Sequence, residues 1–378
     1  MQGLGVYIHI PFCEKKCRYC DFVSFEQKEK AFKQKYVESL VKEMEHFQTS
    51  QKISTLYIGG GTPSVLPVEE MEKIVKTAKK NWRFGEQAEV TIEVNPGTVD
   101  LVKLEGYKAL GINRLSIGVQ STHNRLLELL GRIHLYEDFT RVYEMARTVG
   151  FENINVDLML GIPTQTKEEL ESSLQEVIAL QPEHISIYSL ILEKGTELEQ
   201  LVLDGTLEMI SEELEREMYW LTKEVLEKNG YVQYEISNFA KKGLESRHNL
   251  ACWNQEEYVG FGVGAHSYGD RMRVSNVECM EEYIKNIEAG RFERNVILQE
   301  KRQTFEEQAK EYMLLGLRKI AGVSISEFEQ KFQLNPLFYF RFEMSRLEEK
   351  GLIEVDLDRI RLTNKGLDFA NQVFAEFV

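Results

Sequence analysis

The feature that most constrains the fold is a sixfold alternation of β-rich runs and helical stretches in the first half of the chain. The runs are rich in Val, Ile and Tyr, as strands are: Val6–Ile10, Thr55–Ile58, Glu89–Val94, Arg114–Val119, Asn153–Leu160 and His184–Leu192. Helical spacing separates them at Tyr36–Phe47, Val68–Lys80, Phe139–Val149 and Glu168–Leu180. Because repeated β/α units build parallel sheets and six fall short of a closed barrel, we expect an α/β fold with an open, partial (β/α)6 barrel.

The rest of the chain follows a different pattern. Ser211–Asn229 predicts a further helix and Val232–Ser237 a strand, and a loop-rich stretch follows from Asn238 to Ser275. From about Gln303 the spacing is helical again, at Glu306–Leu317, Ile325–Phe332 and Phe340–Lys350, with a hairpin at Leu352–Val355 and Ile360–Leu362. We expect a partial barrel over 1–235, a loop-rich sheet extension and connector over 236–300, and a small winged-helix-like domain over 301–378.

The charge balance disfavours nucleic acid as a partner. The 378 residues carry a formal net charge of −15, with no block of Lys and Arg. Such a chain repels phosphate backbones unless its basic residues form one patch. Residues 301–378 hold 12 Lys and Arg against 13 Asp and Glu, so this domain is expected to pack on the barrel or to contact a protein. A nucleic-acid module is the alternative that the balance disfavours.

Neither a membrane segment nor an export signal is evident. No apolar run approaches the roughly 20 residues that cross a bilayer, and residues 1–5 are not a basic region followed by an apolar stretch. We expect a cytoplasmic protein that meets a membrane only through a partner. In that reducing compartment its five cysteines suit metal or redox chemistry better than disulfides.

Three of the cysteines form a C-x3-C-x2-C motif directly after the first strand: Cys13, Cys17 and Cys20. Active sites of barrel folds lie at the carboxyl ends of the strands. Three thiolates can hold three irons of a 4Fe–4S cluster, which leaves the fourth iron open to a small molecule such as S-adenosylmethionine. The alternative is a structural zinc site, which usually has four ligands in two pairs. The remaining cysteines, Cys252 and Cys279, lie far away in sequence.

The motif and its flanks carry a resemblance to a known family. C-x3-C-x2-C after a first strand is the signature of the radical S-adenosylmethionine superfamily. The longer string, Tyr7-Ile8-His9-Ile10-Pro11-Phe12-Cys13 with Cys17 and Cys20-Asp21-Phe22, resembles the oxygen-independent coproporphyrinogen III oxidase family and, within it, the HemW-type haem chaperones. The resemblance covers nearly the whole chain and implies a radical-SAM barrel that holds a 4Fe–4S cluster and S-adenosylmethionine.

Polar residues at the predicted strand tips agree with such a cofactor site. Gly59-Gly60-Gly61-Thr62 follows the second strand, and glycines let a backbone approach a ligand closely. Taken one at a time, each polar residue at a strand tip has an alternative role of about equal weight: it can cap a helix, or it can be a buried side chain with its hydrogen bonds satisfied. By resemblance, the positions that contact S-adenosylmethionine are Tyr7, Gly60, Gly61, Thr62, Glu93, Gln120, Arg132 and Asp157. Whether one or two molecules bind is open.

Two departures put coproporphyrinogen decarboxylation in doubt. The oxidase pattern continues as C-x3-C-x2-C-x-C, whereas this chain has Phe22 at the last position. The oxidases also carry a long extension before the cysteines, whereas twelve residues precede Cys13 here. The resemblance therefore leaves enzymatic activity open.

A second segment points to haem. Arg247-His248-Asn249-Leu250-Ala251-Cys252-Trp253 resembles the H-N-x-x-Y-W motif of the chaperone group, with Cys252 where tyrosine is usual. Gly262-Val263-Gly264-Ala265-His266-Ser267 resembles the group's G-x-G-x-G-A-H-S stretch. Imidazole and thiolate both ligate haem iron, so His248 is the candidate haem ligand, with His9 and His266 as rivals. The alternative is that His248 shapes a loop and Trp253 belongs to the core. No C-x-x-C-H occurs, so thioether attachment is not indicated.

Two functions therefore compete. The first is a haem chaperone that passes haem to a recipient haem protein. The recipient could be a protein of the respiratory chain, and the chaperone itself could be a homodimer. The second is a radical enzyme that acts on a tetrapyrrole, as the coproporphyrinogen oxidases do. The cofactors expected are a 4Fe–4S cluster, S-adenosylmethionine and haem.

Overall fold

A computed structural model of the chain describes residues 3–26, 29–292 and 297–378. The strands, in chain order, are β1 (Leu4–Ile10), β2 (Phe12–Cys13), β3 (Phe25–Glu26), β4 (Ile53–Gly60), β5 (Phe84–Val94), β6 (Arg114–Gln120), β7 (Ile154–Leu160), β8 (His184–Ser189), β9 (Val232–Glu235), β10 (Asn238–Ala240), β11 (Tyr258–Phe261), β12 (His266–Gly269), β13 (Met272–Asn276), β14 (Ile297–Arg302), β15 (Val323–Ser324), β16 (Ile353–Val355) and β17 (Arg359–Leu362).

The helices alternate with the first strands and then dominate the C-terminal part. They are α1 (Lys30–His46), α2 (Val68–Asn81), α3 (Leu101–Ala109), α4 (Asn124–Leu129), α5 (Tyr136–Val149), α6 (Lys167–Ala179), α7 (Glu197–Leu203), α8 (Glu212–Lys228), α9 (Arg247–Trp253), α10 (Met280–Glu288), α11 (Phe305–Gly316), α12 (Ile325–Phe332), α13 (Pro336–Tyr339), α14 (Arg341–Glu349), α15 (Asn364–Asp368) and α16 (Ala370–Ala375). Several begin at capping boxes, such as Thr166 with Glu169 at α6.

Six parallel strands form the heart of the fold, in the order β1-β4-β5-β6-β7-β8. All six predicted runs are strands, and the predicted α/β fold with a partial barrel and a C-terminal domain is confirmed. Among the described residues the same sheet extends to twelve strands, with β11 to β14 beyond β1 and β10 and β9 beyond β8. The predicted strand at Val232–Ser237 is confirmed by β9, whereas the loop-rich stretch predicted from Asn238 to Ser275 also contains the short strands β10 to β13 and the helix α9.

The two faces of the barrel strands differ sharply. On β4, Leu56 and Ile58 face outward into the core beneath the helices, whereas Tyr57 between them faces the barrel interior. Inward positions on the neighbouring strands carry Thr91, Ser116 and Asp157 rather than the branched apolar side chains that usually fill a barrel. The interior is therefore built to bind polar groups.

The C-terminal residues form a second hydrophobic core. It contains buried side chains from Ala309 to Phe377, including Phe328, Leu347 and Ile360. β15, β17 and β16 form a small antiparallel sheet, which confirms the predicted hairpin. The boundaries at 235/236 and 300/301 stay predictions. No helix among the described residues is long and apolar enough to span a membrane.

Candidate functional site

A cavity of about 420 Å³ opens at the carboxyl ends of the barrel strands. Its walls include three thiols, a glycine turn and polar strand tips. The residues predicted from sequence that line it are Cys13, Cys17, Cys20, Gly60, Gly61, Thr62, Glu93, Gln120, Arg132 and Asp157. Two predicted residues, Tyr7 and His248, do not line it. The fold therefore brings the proposed cluster ligands and most of the proposed S-adenosylmethionine contacts to one place.

Backbone contacts hold the cysteine loop against the barrel. Cys13 ends the two-residue strand β2, which pairs with β3 on the return of the loop. The Cys20 N–H donates to the Cys17 carbonyl at 3.1 Å, and the Arg18 N–H donates to the Leu130 carbonyl at 3.0 Å. Because these bonds involve the main chain, the spacing between the thiols is set by the loop rather than by flexible side chains.

The glycine turn after β4 packs directly on this loop. Gly60 has φ +118°, a conformation that other residues rarely adopt. A Cβ on Gly61 would lie 2.9 Å from the Phe12 carbonyl oxygen and 3.0 Å from Cys13 Sγ. The Thr62 hydroxyl donates to Cys13 Sγ at 3.5 Å. A side chain at position 61 would therefore displace the first thiol.

A guanidinium contacts the second thiol. Arg132 Nη1 donates to Cys17 Sγ at 3.3 Å, and Nη2 donates to the Gly118 carbonyl at 2.6 Å. The side chain thus connects the cysteine loop to the tip of β6. A positive group at a sulfur ligand stabilises added negative charge at an iron–sulfur cluster.

Two carboxylates face the cavity from β5 and β7. Glu93 accepts hydrogen bonds from the Tyr57 hydroxyl at 2.9 Å and the Gly60 N–H at 3.1 Å, and burial raises its pKa to about 7. Asp157 accepts from Asn155 at 2.7 Å and Ser116 at 3.1 Å, and burial raises its pKa as well. When ionised, both attract a cationic ligand, since the sulfonium and ammonium groups of S-adenosylmethionine are positive.

Tyr7 lies behind the cavity wall. Its hydroxyl hydrogen-bonds His9 Nδ1 at 2.9 Å, and its ring stacks on Tyr57 with centroids 6.3 Å apart. Tyr57 itself lines the cavity. Contact between Tyr7 and a bound cofactor stays a prediction.

His248 lies on α9, buried against the barrel interior with 7% of its surface exposed. Its Nδ1 lies 2.9 Å from Thr55 Oγ1, and its ring stacks on Tyr57 at 5.1 Å. Glu89 accepts the His248 and Arg247 N–H groups at 3.1 Å each. Burial lowers the His248 pKa to about 4. These contacts hold α9 in place, and a haem-ligand role for His248 stays a prediction.

The rival haem ligands differ in exposure. His9 is buried, and its Nε2 lies 2.8 Å from the Val23 carbonyl oxygen. Cys252 is half-buried and His266 is exposed. Of the three histidines considered, only His266 presents its imidazole to solvent without rearrangement.

Several cavity residues were not predicted from the sequence. Tyr188 and Ile191 at the end of β8, Phe22 after the third cysteine, and Ser116 and Met159 on β6 and β7 all line the cavity. The signal that locates the strand residues is period-two alternation, because inward positions on a strand lie two residues apart. In the sequence, Phe22 stands out only because it replaces the fourth cysteine of the oxidase pattern.

The donor set fits an iron–sulfur cluster. Among the described residues, no three His, Cys, Asp or Glu side chains converge closely enough to hold one metal ion. The three thiols instead surround one cavity, as suits a cluster with several irons. Cys13, Cys17 and Cys20 would hold it, and the glycine turn leaves space for a small molecule beside it.

Comparison with known proteins agrees with this arrangement. The profile of the Radical SAM superfamily matches residues 7–177, and that of the HemN C-terminal domain matches residues 303–369. The chain is 40% identical to "Heme chaperone HemW" of Bacillus subtilis, with 99% of both chains covered, and 36% identical to "Heme chaperone HemW" of Lactococcus lactis, covering 99% of this chain and 97% of that one.

A solved structure gives the same result for the fold. Coproporphyrinogen III oxidase (HemN) from Escherichia coli, described as a radical SAM enzyme, superposes with a TM-score of 0.88 at 25% identity, covering 100% of this chain and 90% of that one. Full-length similarity at 40% identity, the two matched profiles and the cysteine-lined cavity together establish that this chain belongs to the HemW family of the radical SAM superfamily.

Proposed function

We propose that the protein is a haem chaperone that binds a 4Fe–4S cluster, S-adenosylmethionine and haem, and passes haem to a recipient haem protein in the cytoplasm. If the recipient protein is held at a membrane, the chaperone would reach the membrane only by binding that recipient. The names of its relatives support haem handling. The observation that carries the proposal is the contrast between a polar, thiol-lined cavity and its apolar mouth.

The cavity supplies a separate group for each part of the cluster and cofactor. Cys13, Cys17 and Cys20 would ligate three irons. Glu93 and Asp157 would attract the positive groups of S-adenosylmethionine, and the backbone of Gly60 and Gly61 would lie against its methionine part. When bound, the reduced cluster can supply the electron that cleaves S-adenosylmethionine. The chain's own residues orient the ligand and limit the access of water.

The mouth of the cavity suits a flat apolar ligand. Phe22 and Ile191 line the cavity, yet 63% and 66% of their surfaces are exposed, and Tyr188 is 41% exposed. Exposed apolar clusters of this kind mark binding sites. An aromatic ring offers a large contact area to a porphyrin face, and Lys15 at the same cavity can pair with a haem carboxylate. Haem held here remains accessible to an acceptor.

Phe22 also separates the chaperone from the decarboxylase. In the oxidase pattern this position is a fourth cysteine, whereas here it is an exposed ring at the rim. An exposed ring adds apolar contact area but no thiol chemistry. The same position therefore favours ligand holding over catalysis.

Haem titrations of mouth variants test this proposal. Phe22→Ser and Ile191→Ser should weaken haem binding to the anaerobically reconstituted protein, because each removes apolar contact area at the mouth. Leu203→Ser is the matched control, since Leu203 is an exposed apolar residue on α7 that does not line the cavity. Equal haem affinity in the mouth variants and the control would contradict haem binding at this mouth.

The second candidate is a radical enzyme acting on a tetrapyrrole. The observation that favours it is the set of polar side chains in the cavity, which includes Glu93, Gln120 and Asp157 beside the thiols. Release of methionine and 5′-deoxyadenosine that tracks conversion of coproporphyrinogen under reducing, anaerobic conditions would establish it. Cleavage without tetrapyrrole conversion would reject it.

A further inference from the structure

The Glu93 carboxylate, which we assign to S-adenosylmethionine, is held in the cavity from β4. The Tyr57 hydroxyl donates to Glu93 Oε1 at 2.9 Å, and the Gly60 N–H donates to Oε2 at 3.1 Å. The Gly60 donor belongs to the main chain, so the strand itself fixes it. The Tyr57 donor belongs to a side chain, and its place depends on the residues that pack against the ring.

Two rings stack on Tyr57. Tyr7, its paired neighbour on β1, lies 6.3 Å away between ring centroids with an interplanar angle of 24°. The His248 imidazole on α9 lies closer, at 5.1 Å and 26°. The pairing of β1 with β4 fixes Tyr7, whereas His248 comes from a distant part of the chain. The position of the Tyr57 ring therefore depends on how α9 is held.

The first residues of α9 are fixed to the barrel interior. Glu89 on β5 accepts the N–H groups of Arg247 and His248 at 3.1 Å each, and a carboxylate at this end of a helix is stabilising. His248 Nδ1 lies 2.9 Å from Thr55 Oγ1 on β4. Because Thr55 and Tyr57 are two residues apart on one strand face, the imidazole is tied to the same surface on which it stacks.

The residues at the end of α9 are held by the C-terminal domain. The Arg318 guanidinium lies 4.5 Å from the centre of the Trp253 ring, which is a cation–π contact. Gln255 Nε2 donates to the Glu311 carboxylate on α11 at 2.8 Å. These four residues do not line the cavity. The helix thus joins the C-terminal domain to the ring that orients Glu93.

We propose that α9 positions the cofactor site, with His248 as a positioning residue that sets the Tyr57 hydroxyl and, through it, Glu93 for S-adenosylmethionine. The C-terminal domain holds the helix in place through Trp253. This inference rests on the cofactor-binding part of the proposed function and does not depend on haem. It gives the segment Arg247–Trp253 a role at the cofactor site that needs no contact with iron.

The groups around Glu93 provide a readout of this positioning. Burial raises the Glu93 pKa most, the Asp157 charge raises it further, and hydrogen bonds from Tyr57 and the glycine turn lower it. Tyr7 and Tyr188 also act on this carboxyl, but burial raises the pKa of both phenols, so they stay protonated between pH 6 and 8. A displaced Tyr57 hydroxyl should therefore raise the pH at which Glu93 becomes charged.

Two substitutions separate the ring of His248 from its hydrogen bond. His248→Asn keeps a polar group near Thr55 but removes the ring from Tyr57, whereas His248→Phe keeps a ring and loses the hydrogen bond. In the full-length, cluster-reconstituted protein, His248→Asn should weaken equilibrium binding of S-adenosylmethionine about three- to tenfold. The pH midpoint of binding should rise by roughly half a unit. His248→Phe should restore most of the affinity and the wild-type midpoint.

The outcomes distinguish three roles of His248. A wild-type midpoint in His248→Asn would overturn the proposal, because a merely structural residue changes the melting temperature and not the titration of Glu93. An altered haem spectrum in both variants with unchanged S-adenosylmethionine binding would make His248 a haem ligand and also overturn it. Either result leaves the proposed function standing, whereas a wild-type protein that binds no S-adenosylmethionine would refute both.

Trp253→Leu covers the case in which the His248 variants fail to fold. Loss of the contact with Arg318 should weaken S-adenosylmethionine binding and raise its pH midpoint, although Trp253 does not line the cavity. Trp220→Leu is the matched control, because Trp220 also joins the barrel to the C-terminal domain, donating to Asp368 at 2.8 Å, but does so from α8. Equal affinities and midpoints in the two variants would contradict a role for α9.

Discussion

Arg132 Nη1 donates a hydrogen bond to Cys17 Sγ at 3.3 Å, which places a positive charge on one of the three thiols that we assign to the cluster. The other terminal nitrogen donates to Gly118 at the tip of β6. Arg132 was predicted to contact S-adenosylmethionine, and it does line the cavity. The structure adds a contact to a proposed cluster ligand, which gives this residue a measurable electronic effect.

Arg132→Gln should lower the reduction potential of the reconstituted cluster. Loss of the positive charge disfavours the more negative, reduced state. A charged hydrogen bond contributes about 1.5–3 kcal/mol. Its energy changes only in part when the cluster is reduced, so the expected shift of the reduction potential is roughly 30–100 mV for one electron. Redox titration followed by electron paramagnetic resonance measures this shift.

Arg125→Gln is the control for that titration. Arg125 is exposed and pairs with Glu169 at 2.7 Å, away from the thiols. An unchanged potential in Arg132→Gln, or an equal shift in Arg125→Gln, would show that the contact between Arg132 and Cys17 has no electronic role.

Serine substitution should separate the cysteines into two groups. Cys13→Ser, Cys17→Ser and Cys20→Ser should each lose most of the iron and the visible absorbance after anaerobic reconstitution, because each removes a thiolate from the cavity. Cys252→Ser and Cys279→Ser should retain both, since neither lines the cavity. Iron and sulfide analysis of the five variants measures the difference. Full iron content in any variant of the first group would remove that cysteine from the ligand set.

S-adenosylmethionine binding should strengthen as the pH rises from 6 to 8. Burial raises the Glu93 pKa to about 7, so its carboxyl is largely neutral at pH 6 and charged at pH 8, where it attracts a cation. Equilibrium binding at fixed ionic strength should show several-fold tighter binding at the higher pH. Glu93→Gln should remove most of this dependence.

Glu43→Gln is the matched control for the binding measurement. Burial also raises the Glu43 pKa to about 7, but Glu43 lies on α1 and contacts Gly262, Asn276 and Tyr283 rather than the cavity. This variant should retain the wild-type pH dependence of binding. A loss of that dependence in both variants would indicate a general effect of buried carboxyls and not a contact with the ligand.

Glu43 should also give the folded state a definite pH dependence of stability. Its pKa is raised from 4.5 to about 7, so the folded state holds the proton more tightly than the unfolded state. The contribution is complete below pH 4.5 and is lost as the pH rises through 7, by at most about 3 kcal/mol. Denaturant unfolding at pH 5 and 7.5 should show a smaller loss in Glu43→Gln than in the wild type. Glu38 is exposed on the same helix, so Glu38→Gln should lose as much stability between pH 5 and 7.5 as the wild type. A loss of the same size in Glu43→Gln would contradict the assignment of this pH dependence to Glu43.

The barrel strands could be predicted because their residues suit only one kind of structure. In a run such as Val156 to Leu160, the apolar side chains face outward from the barrel and are buried beneath the helices. The strands β11 to β13 were missed because each has only four or five residues and glycines lie between them, at Gly262 and Gly264. β11 is held by its parallel pairing with β1, which lies some 250 residues earlier in the chain. Local propensity carries no information about such a partner.

The residues of the candidate site also divide into those whose place could be predicted from the sequence and those whose place could not. That the cysteines and the glycine turn meet at one cavity could be predicted, because they follow the first two strands of a parallel sheet, whose carboxyl ends lie at one edge. The places of Tyr188 and Ile191 could not be predicted, since an apolar or aromatic residue at a cavity mouth looks ordinary in sequence. The surroundings of His248 depend on Thr55 and Tyr57, residues of a distant strand. Only the fold shows that its ring is buried.

The most direct test of the central claim is an anaerobic titration of the reconstituted protein with haem. The proposed function predicts a bound-haem spectrum distinct from that of free haem and a sharp endpoint at a fixed ratio of haem to chain. It also predicts transfer of that haem to a haem-free acceptor protein. A spectrum that stays that of free haem, with no endpoint, would contradict the account.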